Sequence, residues 1–421
     1  MATASNAFVP QTANTSPRHK QRGYLQHQHP NYRSRQIGCS TVTYEKQTYT
    51  YSRNVVLSII LIHTSLLLID GLASQRKESL RPKPIGPIHT LILTRHGDSL
   101  WNGKYPGSQE TFTGWTDVGL SPIGEQEAIR TGRLLTEFTG RVDALFTSNL
   151  IRAKMTAHHC WWAYYDRLEE QYQQQKHYQY YNQPNGMQHN KHVDQLYQVP
   201  NRFIIDHRLN ERHYGSLQGL IKAEVESGVH GHAREDVRLW RRSWHAIPPP
   251  LKDDDPRRVE ELRLFMNICG EQNVPKSESL AMVAENRIRP FLAENLTPLL
   301  DSAYESKSLS SSIEGSEGEA SIEGGTALIV AHANSLRALI GVVCNVEQDP
   351  LGLALKKLES MKIPTASPLV IRYRKTTQEG CYYPVDSTLG TEGRNELPVY
   401  PLSSLSRSKN RRTKPKTKSV M

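Results

Sequence analysis

Arg95-His96-Gly97 follows a short apolar run, Thr90–Thr94, and precedes Asp98-Ser99-Leu100-Trp101-Asn102. The run reads as a buried strand that delivers a guanidinium and an imidazole to its C-terminal end, the edge where open α/β sheets bind ligands. A neutral imidazole there can attack phosphorus, and the adjacent guanidinium can hold phosphoryl oxygens in a fixed fork. Related arrangements recur along the chain. Thr147-Ser148-Asn149-Leu150-Ile151-Arg152 places an arginine just after the strand-like run Ala144–Thr147. Ala331-His332-Ala333-Asn334 follows the run Thr326–Val330 and enters a helix, so a second histidine sits where a helix N-terminus favours negative charge. In Leu209-Asn210-Glu211-Arg212-His213-Tyr214-Gly215, Glu211 is the candidate general acid/base, while Arg212, Tyr214 and the later Lys222 offer donors for a small, highly anionic ligand. Trp240-Arg241-Arg242, ahead of Pro248-Pro249-Pro250, suits a ligand carrying both a carboxylate and a phosphate.

These residues need a frame that gathers them. Strand-like runs at Thr90–Thr94, Ala144–Thr147, Phe203–Asp206, Thr326–Ala331 and Leu369–Tyr373 alternate with helical stretches at Pro122–Phe138, Arg152–Gln174, Ser279–Leu300 and Ser335–Cys344. Such alternation predicts an α/β fold with a mostly parallel sheet and helices on both faces. Ser121 reads as the N-cap of the first helix. Two segments break the pattern: residues 171–198, crowded with Gln, Tyr, His and Asn, and residues 306–325, rich in Ser, Gly and Glu. The first reads as an insertion extending a helix into a loop, the second as a flexible surface loop.

Apolar residues make up 37% of the 421, below the ~45–50% of globular chains, so part of the chain is expected outside any core. The formal charge of +10 belongs to the ends. Residues 1–53 hold seven Lys/Arg against one acid and residues 404–421 seven against none, which leaves the stretch between them at −3. The basic balance therefore gives no reason to expect nucleic acid as a partner. The five cysteines, Cys39, Cys160, Cys269, Cys344 and Cys381, are scattered without metal-ligand spacing and read as free thiols. Residues 1–53 read as a disordered or targeting segment, and 54–73 as a transmembrane or signal-type apolar segment. Val55–Ile69 would span about 22 Å as a helix, against the ~30 Å hydrocarbon core. Membrane association through Val55–Ile69 is the first expectation; organellar import with cleavage, or a cytoplasmic chain, are the alternatives. A linker at 74–87, a folded domain at 88–375 and a C-terminal extension with a basic tail at 376–421 complete the division.

The run Leu93-Thr94-Arg95-His96-Gly97-Asp98-Ser99-Leu100-Trp101-Asn102 resembles the phosphohistidine signature of the histidine phosphatase superfamily, in particular its cofactor-dependent phosphoglycerate mutase branch. Phe112-Thr113-Gly114-Trp115-Thr116-Asp117, the Arg152 segment, the stretch from Arg208 to Lys222, the Trp240-Arg241-Arg242 element and the His332 segment are similar to that branch's other motifs, in its order. The resemblance implies a three-layer sandwich fold. It implies interconversion of 3-phosphoglycerate and 2-phosphoglycerate in glycolysis and gluconeogenesis, with 2,3-bisphosphoglycerate as phosphoryl primer and no metal. It implies that His96 is the nucleophile, that Arg95, Arg152 and His332 stabilise the transferring group, and that Glu211 moves the proton. Ser99, Asn102, Thr113, Gly114, Arg212, His213, Tyr214, Lys222, Arg241, Arg242, Ala333 and Asn334 would bind substrate. A homo-oligomer is compatible with the branch. Four departures stand out: Asp98 for the usual Glu, Ala333 for the Gly after the second His, Ala366-Ser367 for a Gly-containing pair, and a longer loop, Gly103–Thr111, before Phe112. A phosphatase or bisphosphoglycerate mutase of the same superfamily, and an inactive phospho-ligand-binding paralogue, remain as alternatives.

Overall fold

Leu91, Ile92 and Leu93 are wholly buried, as expected for a strand covered on both faces of a parallel sheet. The computed structural model describes residues 83–138, 142–182, 203–313, 323–378, 380–385, 397–402 and 404, with side chains except at 175–182 and 307–313. In chain order the elements are β1 (Pro84–Arg95), α1 (Pro122–Phe138), β2 (Ala144–Thr147), α2 (Ile151–Asn182), β3 (Phe203–Ile205), α3 (Lys222–Glu226), α4 (Arg234–Arg242) and α5 (Pro256–Cys269). A helical run then comprises α6 (Leu280–Val283), α7 (Arg289–Phe291) and α8 (Thr297–Ile313), joined by π-helical turns at Ala284–Ile288 and Leu292–Leu296. β4 (Glu323–Ala331), α9 (Ala333–Val343), α10 (Leu353–Ser360), β5 (Leu369–Thr376), β6 (Tyr382–Pro384) and β7 (Tyr400–Pro401) follow.

The strands form one sheet in the order β3-β2-β4-β1-β5-β6, with β7 also on β5. β3, β2, β4 and β1 run parallel; β5 pairs antiparallel to β1, β6 and β7. The register sets Arg95 beside Ala331 and Thr147 beside Val330. His96, Ser148 and His332 therefore leave the sheet at the same edge, and the sites read from three distant segments become neighbours there. Successive side chains of β1 divide between two cores. Ile92 joins Leu145, Leu328 and Val330 under Leu135 of α1 and Ala157, Cys160 and Tyr164 of α2. Leu91 and Leu93 join Phe146, Ile329 and Ala331 under Ile288, Phe291 and Leu296 of the helical run and Leu336, Leu339 and Ile340 of α9. The result is helix, sheet, helix: an α/β fold of three layers.

Local chemistry explains the junctions. Ser121 Oγ accepts from the Gly124 amide at 3.2 Å, which caps α1 with Pro122 at its first position. Asp98 receives the Ser121 hydroxyl at 2.6 Å and its amide donates to Glu127 at 2.8 Å, so the shorter acid in place of Glu ties the loop after His96 to α1. That contact is tight enough to require glycine on both sides. A Cβ on Gly97 would lie 2.4 Å from the Gly124 carbonyl oxygen, and one on Gly124 would lie 2.0 Å from the Asp98 carbonyl oxygen. Ala366 holds φ +46°, a left-handed conformation that costs a residue with a Cβ about 1–2 kcal/mol. The Gly-containing pair usual at this point would avoid that cost. The strain is held by the Ala366 amide on the Arg95 carbonyl at 3.0 Å and by the Thr131 hydroxyl on the Ala366 carbonyl at 2.6 Å.

Several expectations change. α8 runs to Ile313, so the second low-complexity insertion begins as helix, whereas α2 continues through residue 182 in line with a first insertion that extends a helix; residues 183–202 and 314–322 lie outside the described residues. β1 begins at Pro84, inside the expected linker, and β6 and β7 extend the sheet past 375, with Leu402 buried. Cys160 and Cys269 are buried, and these, Cys344 and Cys381 are free; Cys39 lies outside the described residues. The expectation of a transmembrane helix is corrected: among the described residues no helix is long and apolar enough to cross a membrane. Val55–Ile69 itself lies outside them.

Candidate active site

His96, one residue past β1, is 4% exposed. Its Nδ1 lies 2.7 Å from the Gly97 carbonyl oxygen, which can only accept, so Nδ1 carries the proton and Nε2 keeps its lone pair. Burial, then Arg95 and Arg152, push the imidazole well below the usual histidine range. The ring is therefore neutral at physiological pH, as a nucleophile must be.

Two guanidiniums and a second imidazole surround it. Arg95 donates to the Ile363 carbonyl at 3.3 Å, and Arg152 donates to the Gly114 and Thr116 carbonyls at 2.7 and 2.9 Å. Burial lowers Arg152 to about 10, against the pull of Glu211. At that value the group still stays charged at neutral pH. The His332 ring lies 5.1 Å from the His96 ring, centroid to centroid. Ser148 Oγ sits 2.7 Å from its Nε2. His332 is also held well below the usual histidine range, by burial and by Arg152. Arg95 Nε and Arg152 Nε are buried donors with no hydrogen-bond partner among the described residues. Two such donors beside a neutral histidine suit a tetrahedral oxyanion.

The two depressed imidazoles predict a pH response of the fold. Between their folded values and 6.5, the unfolded chain binds protons that the native state refuses. Stability should then fall as pH drops below about 6.5, by up to about 1.4 kcal/mol per pH unit for each imidazole. Denaturant unfolding of the wild type and of His332→Gln between pH 7.5 and 5.5 checks this. The variant should lose part of the slope, and equal slopes would refute the prediction.

Glu211 faces the same space. Its Oε1 accepts from the Arg212 and Asn334 amides at 2.8 and 3.1 Å, the second being in the first turn of α9. Its backbone carbonyl takes Trp115 Nε1 at 2.7 Å and Arg287 at 3.2 Å. Arg287 reaches it from the π-helical turn Ala284–Ile288, and it also donates to the Asn210 carbonyl at 2.7 Å. The carboxylate is thus fixed from both sides.

These groups open into a cavity of ≈320 Å³. Arg95, His96, Asn102, Thr113, Gly114, Arg152, Glu211, Tyr214, Lys222, Arg241, Arg242, Ala333 and Asn334 line it, as do Glu110, Thr111, Arg337, Lys362, Ile363 and Pro364. Seven lining side chains are basic and two are acidic, a balance that selects an anion carrying several charges. Gly114, at φ +52°, leaves room for Gln218; a Cβ there would lie 1.9 Å from the Gln218 amide oxygen, which accepts from the Trp115 amide. Ala333 opens α9 and is not left-handed, so its methyl group is accommodated without backbone strain.

Four expected residues do not line the cavity. Ser99 is wholly buried and uses its amide and hydroxyl to hold Asn102 Oδ1 at 2.9 and 2.7 Å. His213 accepts the Gly215 amide on Nδ1 and bonds Glu261 through Nε2, both at 2.9 Å, so both ring nitrogens are consumed inside the protein. Arg212 donates to the Trp240 carbonyl and stacks 4.7 Å from the Tyr214 ring, which anchors α4. His332 is wholly buried, beside His96. Arg337 and Glu110 were missed. Arg337 donates to Asn334 Oδ1 at 2.6 Å and to the Met361 carbonyl at 2.7 Å, and burial beside Arg242 lowers it to about 10. The signal was available: one helical turn after Asn334, it must share that residue's face. Among the described residues no group of three or more His, Cys, Asp or Glu side chains is arranged to hold a metal ion.

A neutral histidine at a strand end, clamped by two arginines and faced by a fixed carboxylate, defines a phosphoryl-transfer centre. Residues 91–172 match the histidine phosphatase superfamily (branch 1). A 2,3-bisphosphoglycerate-dependent phosphoglycerate mutase from Leifsonia xyli is 34% identical over 284 residues, 68% of this chain and 86% of that one. The protein of the same name from Lactobacillus acidophilus is 31% identical over 283 residues, 67% of this chain and 93% of that one. A solved mycobacterial glucosyl-3-phosphoglycerate phosphatase is 18% identical, covering 70% of this chain and 96% of its own, at a TM-score of 0.38, too distant to weigh on the reaction. The chain belongs to the histidine phosphatase superfamily and, within it, to the family of 2,3-bisphosphoglycerate-dependent phosphoglycerate mutases.

Proposed function

We propose that this enzyme interconverts 3-phosphoglycerate and 2-phosphoglycerate through a phosphohistidine on His96. The observation that carries the reading is the neutral His96 with a free Nε2, set among unpartnered buried donors and opposite Glu211 in a cation-lined cavity. The donor set fits 2,3-bisphosphoglycerate, whose two phosphates and carboxylate match the cationic lining; when bound, it supplies the phosphoryl group that primes His96.

His96 Nε2 attacks phosphorus along the axis of the departing oxygen, and the P–O bond breaks as the P–N bond forms. Arg95, Arg152 and His332 stabilise the equatorial oxygens, the main demand of phosphoryl transfer. Glu211 gives the departing oxygen the proton it took in the preceding transfer. In the return step it takes the proton from the hydroxyl that attacks the phosphohistidine, so proton and phosphoryl group move in opposite directions. Asn102, Thr113, Gly114, Tyr214 and Asn334 position the ligand. Lys222, Arg241, Arg242 and Arg337 receive its carboxylate at the other end of the cavity.

The test is turnover of 3-phosphoglycerate by the full-length protein, with and without a trace of 2,3-bisphosphoglycerate. Formation of 2-phosphoglycerate that depends on the trace is the expected result. Inorganic phosphate as the sole product would replace the mutase with a phosphatase.

A further inference from the structure

Glu110 is an acid in the ligand cavity of an enzyme for anions. It ends the long loop Gly103–Thr111, and its placement is not that of a loose side chain. The Lys222 amide donates to the Glu110 carbonyl at 2.8 Å, Thr111 pairs with Ile221, and the Phe112 amide donates to the Leu220 carbonyl at 2.9 Å. This short antiparallel ladder sets the loop's end against the segment that leads into α3. With the backbone so registered, the Glu110 carboxylate meets Lys222 Nζ at 2.6 Å and stands 3.9 Å from Arg241. Burial pushes the carboxyl up, but Lys222 and then Arg241 more than offset this and hold it below the ordinary range, so it is ionised at neutral pH. Arg241 has a second carboxylate partner in Glu226 of α3. Both cations thus have an internal anion before any ligand arrives.

We propose that Glu110 is a specificity-determining residue, a tethered anion that competes with the distal anionic group of the ligand for Lys222 and Arg241. The proposal rests on the reading of those two cations as the ligand's distal seat. Glu110 can yield its place at small cost. Its side chain is 52% exposed, and a neighbouring cavity of ≈310 Å³, also lined by Glu110, Lys222 and Arg241, gives it room to withdraw. A ligand with two strong anionic groups displaces the carboxylate and recovers both cations. A simple phosphomonoester without a second anion leaves the Glu110 pairs intact, with Lys222 and Arg241 already neutralised. Glu110 therefore sets a threshold by charge: only a distal group anionic enough to displace a carboxylate gains the two cations.

Calorimetric titration of the full-length protein and E110Q with inorganic pyrophosphate tests this without assuming the reaction, because pyrophosphate is a compact polyanion. Removal of one half-exposed competing charge should tighten binding roughly fivefold. The gain should shrink in the Lys222→Met background, where only the weaker Arg241 pair remains to be competed for. Equal or weaker binding by E110Q, or a gain undiminished with Lys222→Met, overturns the proposal. Turnover of 3-phosphoglycerate by the wild type, measured alongside, reports on the mutase reading separately: its loss with the pyrophosphate gain intact sinks that reading and leaves the competition established.

Discussion

His96→Ala should take no phosphoryl label from 2,3-bisphosphoglycerate and should lose turnover by roughly 10⁴-fold or more, the scale seen when a covalent nucleophile is removed. The wild type should carry one acid-labile, alkali-stable phosphoryl group per chain, the stability pattern of a phosphoramidate. The reasoning is geometric. Gly97 fixes the proton on Nδ1, and Arg95 and Arg152 hold unpartnered donors beside the ring. Among the described residues no other cavity-lining side chain combines a neutral nucleophilic nitrogen with that setting. The fold should survive, because the imidazole makes its one hydrogen bond to the carbonyl of the next residue. A label that resists acid, or one that persists in His96→Ala, would place the covalent step on another group.

Glu211→Gln should lower turnover by ~10²–10⁴, the usual contribution of a positioned general acid/base. Binding should change far less. The amide oxygen of Gln can still accept from the Arg212 and Asn334 amides that now hold Oε1, so the side chain keeps its place and loses only its proton chemistry. Rapid-quench measurement of phosphoenzyme formation, set beside equilibrium binding of 3-phosphoglycerate, separates the two effects. Equal losses in binding and in rate would mean that Glu211 serves to hold the site together. Unchanged turnover would move proton transfer to another residue.

Much of the frame was legible because its signals are local. An apolar run of strand length, ended by Arg95-His96-Gly97, needs no distant partner to be read as a strand with a loop behind it. The same holds for Ser121 and Pro122 at the start of α1 and for the period of the helices that cover the sheet. Low-complexity composition misled at residues 306–313, where a helix already nucleated and packed upstream simply propagates. The membrane expectation rested on apolar length alone, and among the described residues no helix meets the requirement.

Residue types in motif order determined the chemistry available to this protein: two histidines, paired arginines and a carboxylate at the ends of strands and the starts of helices. Only the tertiary structure decided which polar groups face the ligand. His213, inside a motif, spends both ring nitrogens on Gly215 and Glu261, and Ser99 spends its hydroxyl on Asn102. Glu110, outside every motif, reaches Lys222 across 112 residues of chain and stands in the cavity. The physical reason is that a buried donor or acceptor must find a partner wherever the fold brings one. Secondary structure is set over one turn or one strand, but the partners of a polar side chain are set by the whole packed chain.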